Sequence, residues 1–147
     1  YHPEHFQVIS QLKEELVNKG LRFTSIASDL VENVGKSTSE EVKAEIVSKV
    51  KELMFNSDLN IFIFNRGGKN ESTIVELTVL VESEYYEENP SKILVFFPRS
   101  YSSTMLEGLI TLKKLMIYYY ENEPEIFQKA IAYIKHQLLN EIRGEFE

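Results

Sequence analysis

Leu59-Asn60-Ile61-Phe62-Ile63-Phe64 leads through Asn65-Arg66-Gly67-Gly68-Lys69-Asn70-Glu71-Ser72 into Thr73-Ile74-Val75-Glu76-Leu77-Thr78-Val79-Leu80-Val81. The first six residues are β-branched or aromatic with one polar interruption, and turn residues bound them on both sides. That is the pattern of a strand covered on both faces. Glu76 is the single charge in the apolar run that follows, which predicts a largely buried helix from Thr73 to about Ser83.

The same alternation continues downstream. Lys92-Ile93-Leu94-Val95-Phe96-Phe97 reads as a second strand, a serine-rich loop follows, and Leu115-Met116-Ile117-Tyr118-Tyr119 reads as a third. A last helix is expected from about Pro124 to Ile142. Strands that alternate with helical crossovers specify an α/β fold of three layers, a mainly parallel sheet with helices on both faces, flavodoxin- or Rossmann-like.

Upstream, Phe6, Ile9, Leu12 and Leu16 form a helical stripe between Glu4 and Asn18 that closes at Lys19-Gly20. Leu21 to Ile26 alternates like a short strand until Ala27-Ser28-Asp29 breaks it. Ser37-Thr38-Ser39-Glu40-Glu41 offers overlapping capping boxes ahead of a helix whose buried stripe is Val42, Ile46, Val50, Leu53 and Met54. Residues 1–147 read as one domain.

Composition narrows the partners. A hydrophobic fraction of 43% with 12% aromatic residues supports a packed core. A formal charge of −7 disfavours a protein that tracks a phosphate backbone, because such binding relies on lysine and arginine to displace counterions. The chain has no cysteine, so thiol nucleophiles, thiolate metal sites and disulfides are excluded, and the expected location is cytoplasmic. No run reaches the length of a membrane helix, so no membrane partner is expected. His2, His5 and His136 lack metal-ligand spacing, and neither a metal nor a cofactor is assigned.

Parallel sheets bind ligands beyond the carboxyl ends of their strands, where loops and helix N-termini supply amide donors. Three loops qualify. The first carries Asn65, Arg66, Gly67, Gly68, Ser72 and Thr73 as ligand-binding candidates, its loop giving flexible backbone, two cations and a hydroxyl suited to phosphate or ribose. The second, Pro98 to Thr104, adds Arg99, Ser100 and Ser102. The third presents Asp29 to ribose hydroxyls. For the second the competing reading is a plain solvated turn with a helix cap, and for the third a simple Asx turn.

Glu76 is the catalytic candidate, since partial burial near the ligand edge would raise its pKa and suit it to nucleophilic or acid/base work. Thr73-x-x-Glu76 also fits a capping box, in which the glutamate only returns a hydrogen bond to the backbone. Thr38-x-x-Glu41 and Thr104-x-x-Glu107 fit the same pattern without a strand and a Gly-Gly loop before them. The tyrosines at 85–86 and 118–120 read as loop and strand-end aromatics.

The succession of a strand from Asp58 to Phe64, a glycine-bearing loop, Thr73-Ile74-Val75-Glu76 on an apolar helix and a strand from Lys92 to Phe97 resembles the nucleoside 2-deoxyribosyltransferase family. Its relatives include TIR-type NAD-cleaving domains and LOG-type nucleotide phosphoribohydrolases. The Pro-Gly-Gly-x-Gly-Thr-x-x-Glu signature of the last is partly echoed by Gly67-Gly68 and Thr73-x-x-Glu76. This sequence departs from it in having no proline before Gly67 and two extra residues before Thr73.

The resemblance spans roughly Ser57 to Phe97. It implies cleavage or transfer at an N-glycosidic bond, with Glu76 acting at the sugar carbon and the glycine loop holding ribose or phosphate. It also implies a strand ahead of the opening helix, lying before Tyr1 or replaced by Leu21 to Ile26. The expected function is thus a nucleotide- or nucleoside-binding domain with N-glycosidase-like chemistry. The alternative is a non-catalytic nucleotide sensor or protein-interaction module, and a homo-oligomer is a further expectation.

Overall fold

A computed structural model of the chain describes residues 3–21, 24–26, 40–66, 70–99 and 104–146. Helices α1 (Pro3–Asn18) and α2 (Glu40–Asn56) precede strand β1 (Asn60–Ile63). Helix α3 (Glu71–Val81), the short helix α4 (Glu84–Glu88) and a 3-10 turn at Pro90–Lys92 lead to β2 (Ile93–Pro98). Helix α5 (Thr104–Lys113) leads to β3 (Ile117–Tyr120), and α6 (Glu123–Phe146) follows.

The strands form one parallel sheet in the order β1-β2-β3. Because successive strands are neighbours, two right-handed crossovers place α3 and α5 on the same face. The packing agrees with that rule. On one face Phe62, Phe64, Ile93, Val95 and Phe97 meet Leu77, Leu80 and Val81 of α3 and Val50 and Met54 of α2, with Leu109 and Ile110 of α5 against the same cluster. On the other, Ile63, Leu94, Phe96 and Tyr120 meet Leu12 and Leu16 of α1 and Ile126, Ala130 and Tyr133 of α6. The period-two alternation of side chains across a strand therefore feeds two apolar layers, which is why β1 and β2 are apolar almost throughout. The three-layer α/β architecture expected from the sequence is the one observed.

Helix α1 ends as its glycine predicts. Gly20 takes φ 103°, its N–H donates to the Val17 carbonyl at 3.0 Å, and the Leu21 N–H donates to the Leu16 carbonyl at 3.0 Å, which is a Schellman closure. The expected strand at Leu21–Ile26 does not form at its described positions, Leu21, Thr24, Ser25 and Ile26. Both the N–H and the hydroxyl of Thr24 donate to the Leu21 carbonyl, at 3.3 and 2.8 Å, so a turn takes the acceptor a ladder would have needed.

Two further expectations change. Tyr85 and Tyr86 lie in α4 rather than in a loop, their hydroxyls donating to the carbonyls of Ser57 at 2.8 Å and Lys113 at 2.6 Å. A five-residue helix is too short to show a period. The third strand begins at Ile117 rather than Leu115, because the Leu115 N–H donates to the Ile110 carbonyl at 3.2 Å and closes α5, with Lys114 in the left-handed region at φ 53°. Among the described residues no helix is long and apolar enough to cross a membrane.

One hydroxyl joins the two outer strands over the end of the middle one. Tyr120, 4% exposed, donates to the Phe64 carbonyl at 2.6 Å. Burial pushes this hydroxyl up to about 12, with the Arg66 charge opposing the rise and Glu123 adding to it. The folded state thus holds the proton more tightly than the unfolded chain, where the ordinary value is 10.0. Stability from this group is complete below pH 10 and is lost as pH rises toward 12. Denaturant titrations should find Tyr120→Phe weakened by about 1 kcal/mol at pH 8, with a shallower loss of stability than wild type above pH 10.

Candidate functional site

The carboxyl edge of the sheet begins where β1 ends. The Phe64 N–H donates to the Phe96 carbonyl at 3.0 Å, one residue past the strand, and the Phe64 ring stacks on Phe97 at 4.4 Å between centroids. The chain then turns out through Asn65 and Arg66. Asn70, on the far side of that loop and 3% exposed, clasps Asn65 reciprocally. Its Oδ1 accepts from the Asn65 N–H at 2.7 Å, and its Nδ2 donates to the Asn65 carbonyl at 3.0 Å.

The clasp fixes the loop's two ends, and it occupies the backbone N–H and C=O of Asn65, one of the ligand candidates. It also draws the Asn70 side chain away from the first turn of α3, which has no side-chain cap bond. The Asn70 carbonyl still accepts the first helical bond, from the Ile74 N–H at 2.9 Å. A buried amide with both ends satisfied is a rigid fastening, since leaving either unpaired costs its desolvation.

Arg66 and Arg99 leave neighbouring strands and converge on the exit of β3. The Arg66 guanidinium lies 5.7 Å from the centre of the Tyr120 ring and donates to the Glu121 carbonyl. Arg99 pairs its Nη1 with Glu121 Oε1 at 3.2 Å, and its backbone N–H donates to the Tyr120 carbonyl at 3.0 Å. The Arg99 and Glu121 side chains are 69% and 60% exposed, so their ion pair contributes at most about 1 kcal/mol. A bound anion can displace such a carboxylate at little cost.

Glu121 is itself positioned by α6. Its N–H donates to Glu125 Oε2 at 3.3 Å, while Asn122 Oδ1 accepts from the Glu125 N–H at 3.3 Å. Asn122-x-x-Glu125 is thus a working variant of the capping box at the start of α6. Tyr120 and Glu121 were not among the sequence-derived candidates. The carboxyl-edge rule points to the exit of β3 as much as to the other loops, and the Asn-x-x-Glu spacing marks it.

Glu76 has a different setting from either sequence reading. Helix α3 begins at Glu71, so Thr73 is its third residue and Glu76 its sixth, too deep to answer an N-terminal cap. Glu76 is half-buried, and burial alone pushes its carboxyl above the usual carboxylate range. Among the described residues it has no hydrogen bond or ion pair. It sits about 7.5 Å along the axis from the start of α3, with its Cβ bond tilted back toward that end.

Leu77, Leu80 and Val81 are fully buried, whereas Val75 is 61% exposed, so the apolar run does not bury every face of α3. Thr73 is half-buried. The backbone of Ser72 is in the first turn of α3, and its side chain lies outside the described residues. Asp29, Gly67, Gly68, Ser100 and Ser102 also lie outside them. Of the sequence candidates, the described structure therefore brings Asn65, Arg66 and Arg99 to one edge and sets Glu76 a turn and a half down the adjoining helix. Among the described residues no group of three His, Asp or Glu side chains is arranged to hold a metal ion.

Comparison of the chain with protein-family models, curated proteins and solved structures finds no match.

Two stability measurements check these roles. Asn70→Ala leaves the Asn65 backbone without its partner and should cost about 1 to 3 kcal/mol in denaturant unfolding. For Glu76 the folded pKa is raised, so its charged form opposes folding, and the stability it contributes is full below its unfolded value of 4.5 and lost as pH rises. Glu76→Gln should therefore melt above wild type at pH 7, with the difference closing as pH falls toward 4.5. A lower melting point at pH 7 would mean that the carboxylate has a stabilising partner.

Proposed function

We propose that this chain is a nucleotide- or nucleoside-binding α/β domain that receives an anionic group of its ligand at the carboxyl edge of the sheet, between Arg66 and Arg99. The observation that carries this reading is the meeting of the two arginines at Glu121, an exposed carboxylate in the place where a ligand anion would pair. The ligand crevice of parallel α/β sheets is at this edge, and the first turn of α3 stands beside it. The resemblance of residues 57–97 to the nucleoside 2-deoxyribosyltransferase family and its relatives points to the same ligand class.

A second reading adds catalysis by Glu76 at an N-glycosidic bond. The half-buried carboxyl with a raised pKa favours it, because desolvation suits a carboxylate to attack or proton transfer at a sugar carbon. The distance of Glu76 from the arginine edge favours binding without turnover. Binding is therefore the function proposed, and glycosidic cleavage or transfer its extension.

Thermal shift with a panel of nucleosides and nucleoside phosphates tests the binding. A ligand at a hundredfold excess over its Kd should raise the melting point by roughly 5 to 10 °C. Arg66→Gln/Arg99→Gln should abolish the shift for phosphorylated ligands. Absence of a shift with every member of the panel rejects the reading. Incubation with NAD and the nucleosides tests the extension, which requires turnover in wild type and its loss in a folded Glu76→Gln.

A further inference from the structure

Strand β3 has a partner on one side only among the described residues, where β2 lies. The Tyr120 carbonyl accepts from the Arg99 N–H, so Tyr120, and by alternation Tyr118, turn their backbone groups toward β2. Ile117 and Tyr119 then turn their N–H and C=O outward. The strand reads Ile117-Tyr118-Tyr119-Tyr120, without the lysine, proline or bulge that commonly guards an exposed edge. Such an edge is a template for another strand.

Apolar exposure concentrates along the same stretch. Of the six large apolar residues exposed among those described, Leu112, Met116 and Tyr119 lie at the end of α5, in the turn into β3 and on β3 itself, at 74%, 48% and 45%. Tyr119 leans on Phe97 on its inner side, with centroids 6.3 Å apart.

The charges that bracket the strand select the occupant. Lys113 and Lys114 precede it, and Glu121, Glu123 and Glu125 follow it. Lys113 is engaged by Glu82 at 3.6 Å and Glu121 by Arg99. Lys114 and Glu123 are exposed and have no ion pair among the described residues. Two copies of β3 laid antiparallel bring the basic end of each beside the acidic end of the other. A parallel arrangement stacks lysine on lysine and glutamate on glutamate. The antiparallel one is also what a twofold axis produces, with the same patch used by both subunits.

We propose that β3 is a homodimer edge: a second copy of this chain pairs antiparallel with Ile117–Tyr120, Ile117 of each copy opposite Tyr119 of the other, joining two three-stranded sheets into one, with Lys114 of each copy beside the Glu123 end of the other. The N–H and C=O groups of Ile117 and Tyr119, which have no partner strand among the described residues, are then paired, and exposed Tyr119 is covered.

Sedimentation equilibrium of the 147-residue chain, across concentration and at low salt, should give a dimer that dissociates on dilution. Lys114→Glu and Glu123→Lys should each raise its Kd about tenfold, since each change acts twice across a twofold axis. Lys114→Glu/Glu123→Lys should return the Kd to near the wild-type value, because the exchanged charges face each other again. Tyr119→Lys, which sets like charges together at the centre of the edge, should leave monomers with an unchanged circular dichroism spectrum. A wild type monomeric at every concentration overturns the proposal, as does a dimer indifferent to Tyr119→Lys. If the single exchanges weaken the dimer and the double exchange does not recover it, the antiparallel pairing is wrong.

Discussion

The middle strand β2 is buried along its whole length. Helices cover both its faces, and β1 and β3 flank its two edges, overlapping at residues 95–96. Its N–H and C=O groups are answered by β1 along residues 93–96 and by β3 along residues 95–98, because an unpaired buried amide costs as much as a lost hydrogen bond. The rest of the fold is arranged around that requirement. The apolar layers keep the strand dry, and the crossovers through α3 and α5 deliver the two strands that satisfy it.

The pairing register has a consequence at the carboxyl edge of the sheet. Ile63 at the end of β1 is level with Phe96, whereas Tyr120 at the end of β3 is level with Pro98. The carboxyl edge is thus oblique, with β3 reaching two residues, about 7 Å, beyond β1. Long side chains bridge the step. The Tyr120 hydroxyl reaches back to Phe64, and Arg66 reaches forward over the Tyr120 ring to Glu121. The arginine convergence thus follows from the register of three strands rather than from the composition of any one loop.

Groups along this edge differ in how firmly they are held. Asn70 and Tyr120 are buried and hydrogen-bonded, so they fix the loop ends and the strand ends. Arg99 and Glu121 are exposed and held by a pair that solvent screens, so they can exchange partners without disturbing the frame. The edge thus sets exchangeable charges on a rigid base. Glu76 stands between these classes, half-buried and without a partner among the described residues.

Much of the fold is legible in the chain because burial writes short periods into it. The strands around residues 59–64 and 92–97, the helices on either side of them and the glycine stop at Gly20 each depend on neighbours within a few residues. The failures are local competitions that pattern alone does not arbitrate. Thr24 captures the Leu21 carbonyl, and Leu115 spends its N–H closing α5. The two extra residues of helix at Glu71 and Ser72 carry Thr73-x-x-Glu76 out of its capping frame. The candidate site was legible only in part. Arg66 and Arg99 are visible as cations after strands, but their meeting at Glu121 and the bond from Tyr120 to a carbonyl 56 residues away have no local signature. Side-chain period and turn chemistry are properties of the chain and determine its elements. Which strand ends stand side by side, and by how many residues they are offset, is decided only when β2 is buried between its neighbours and its hydrogen bonds admit a single register.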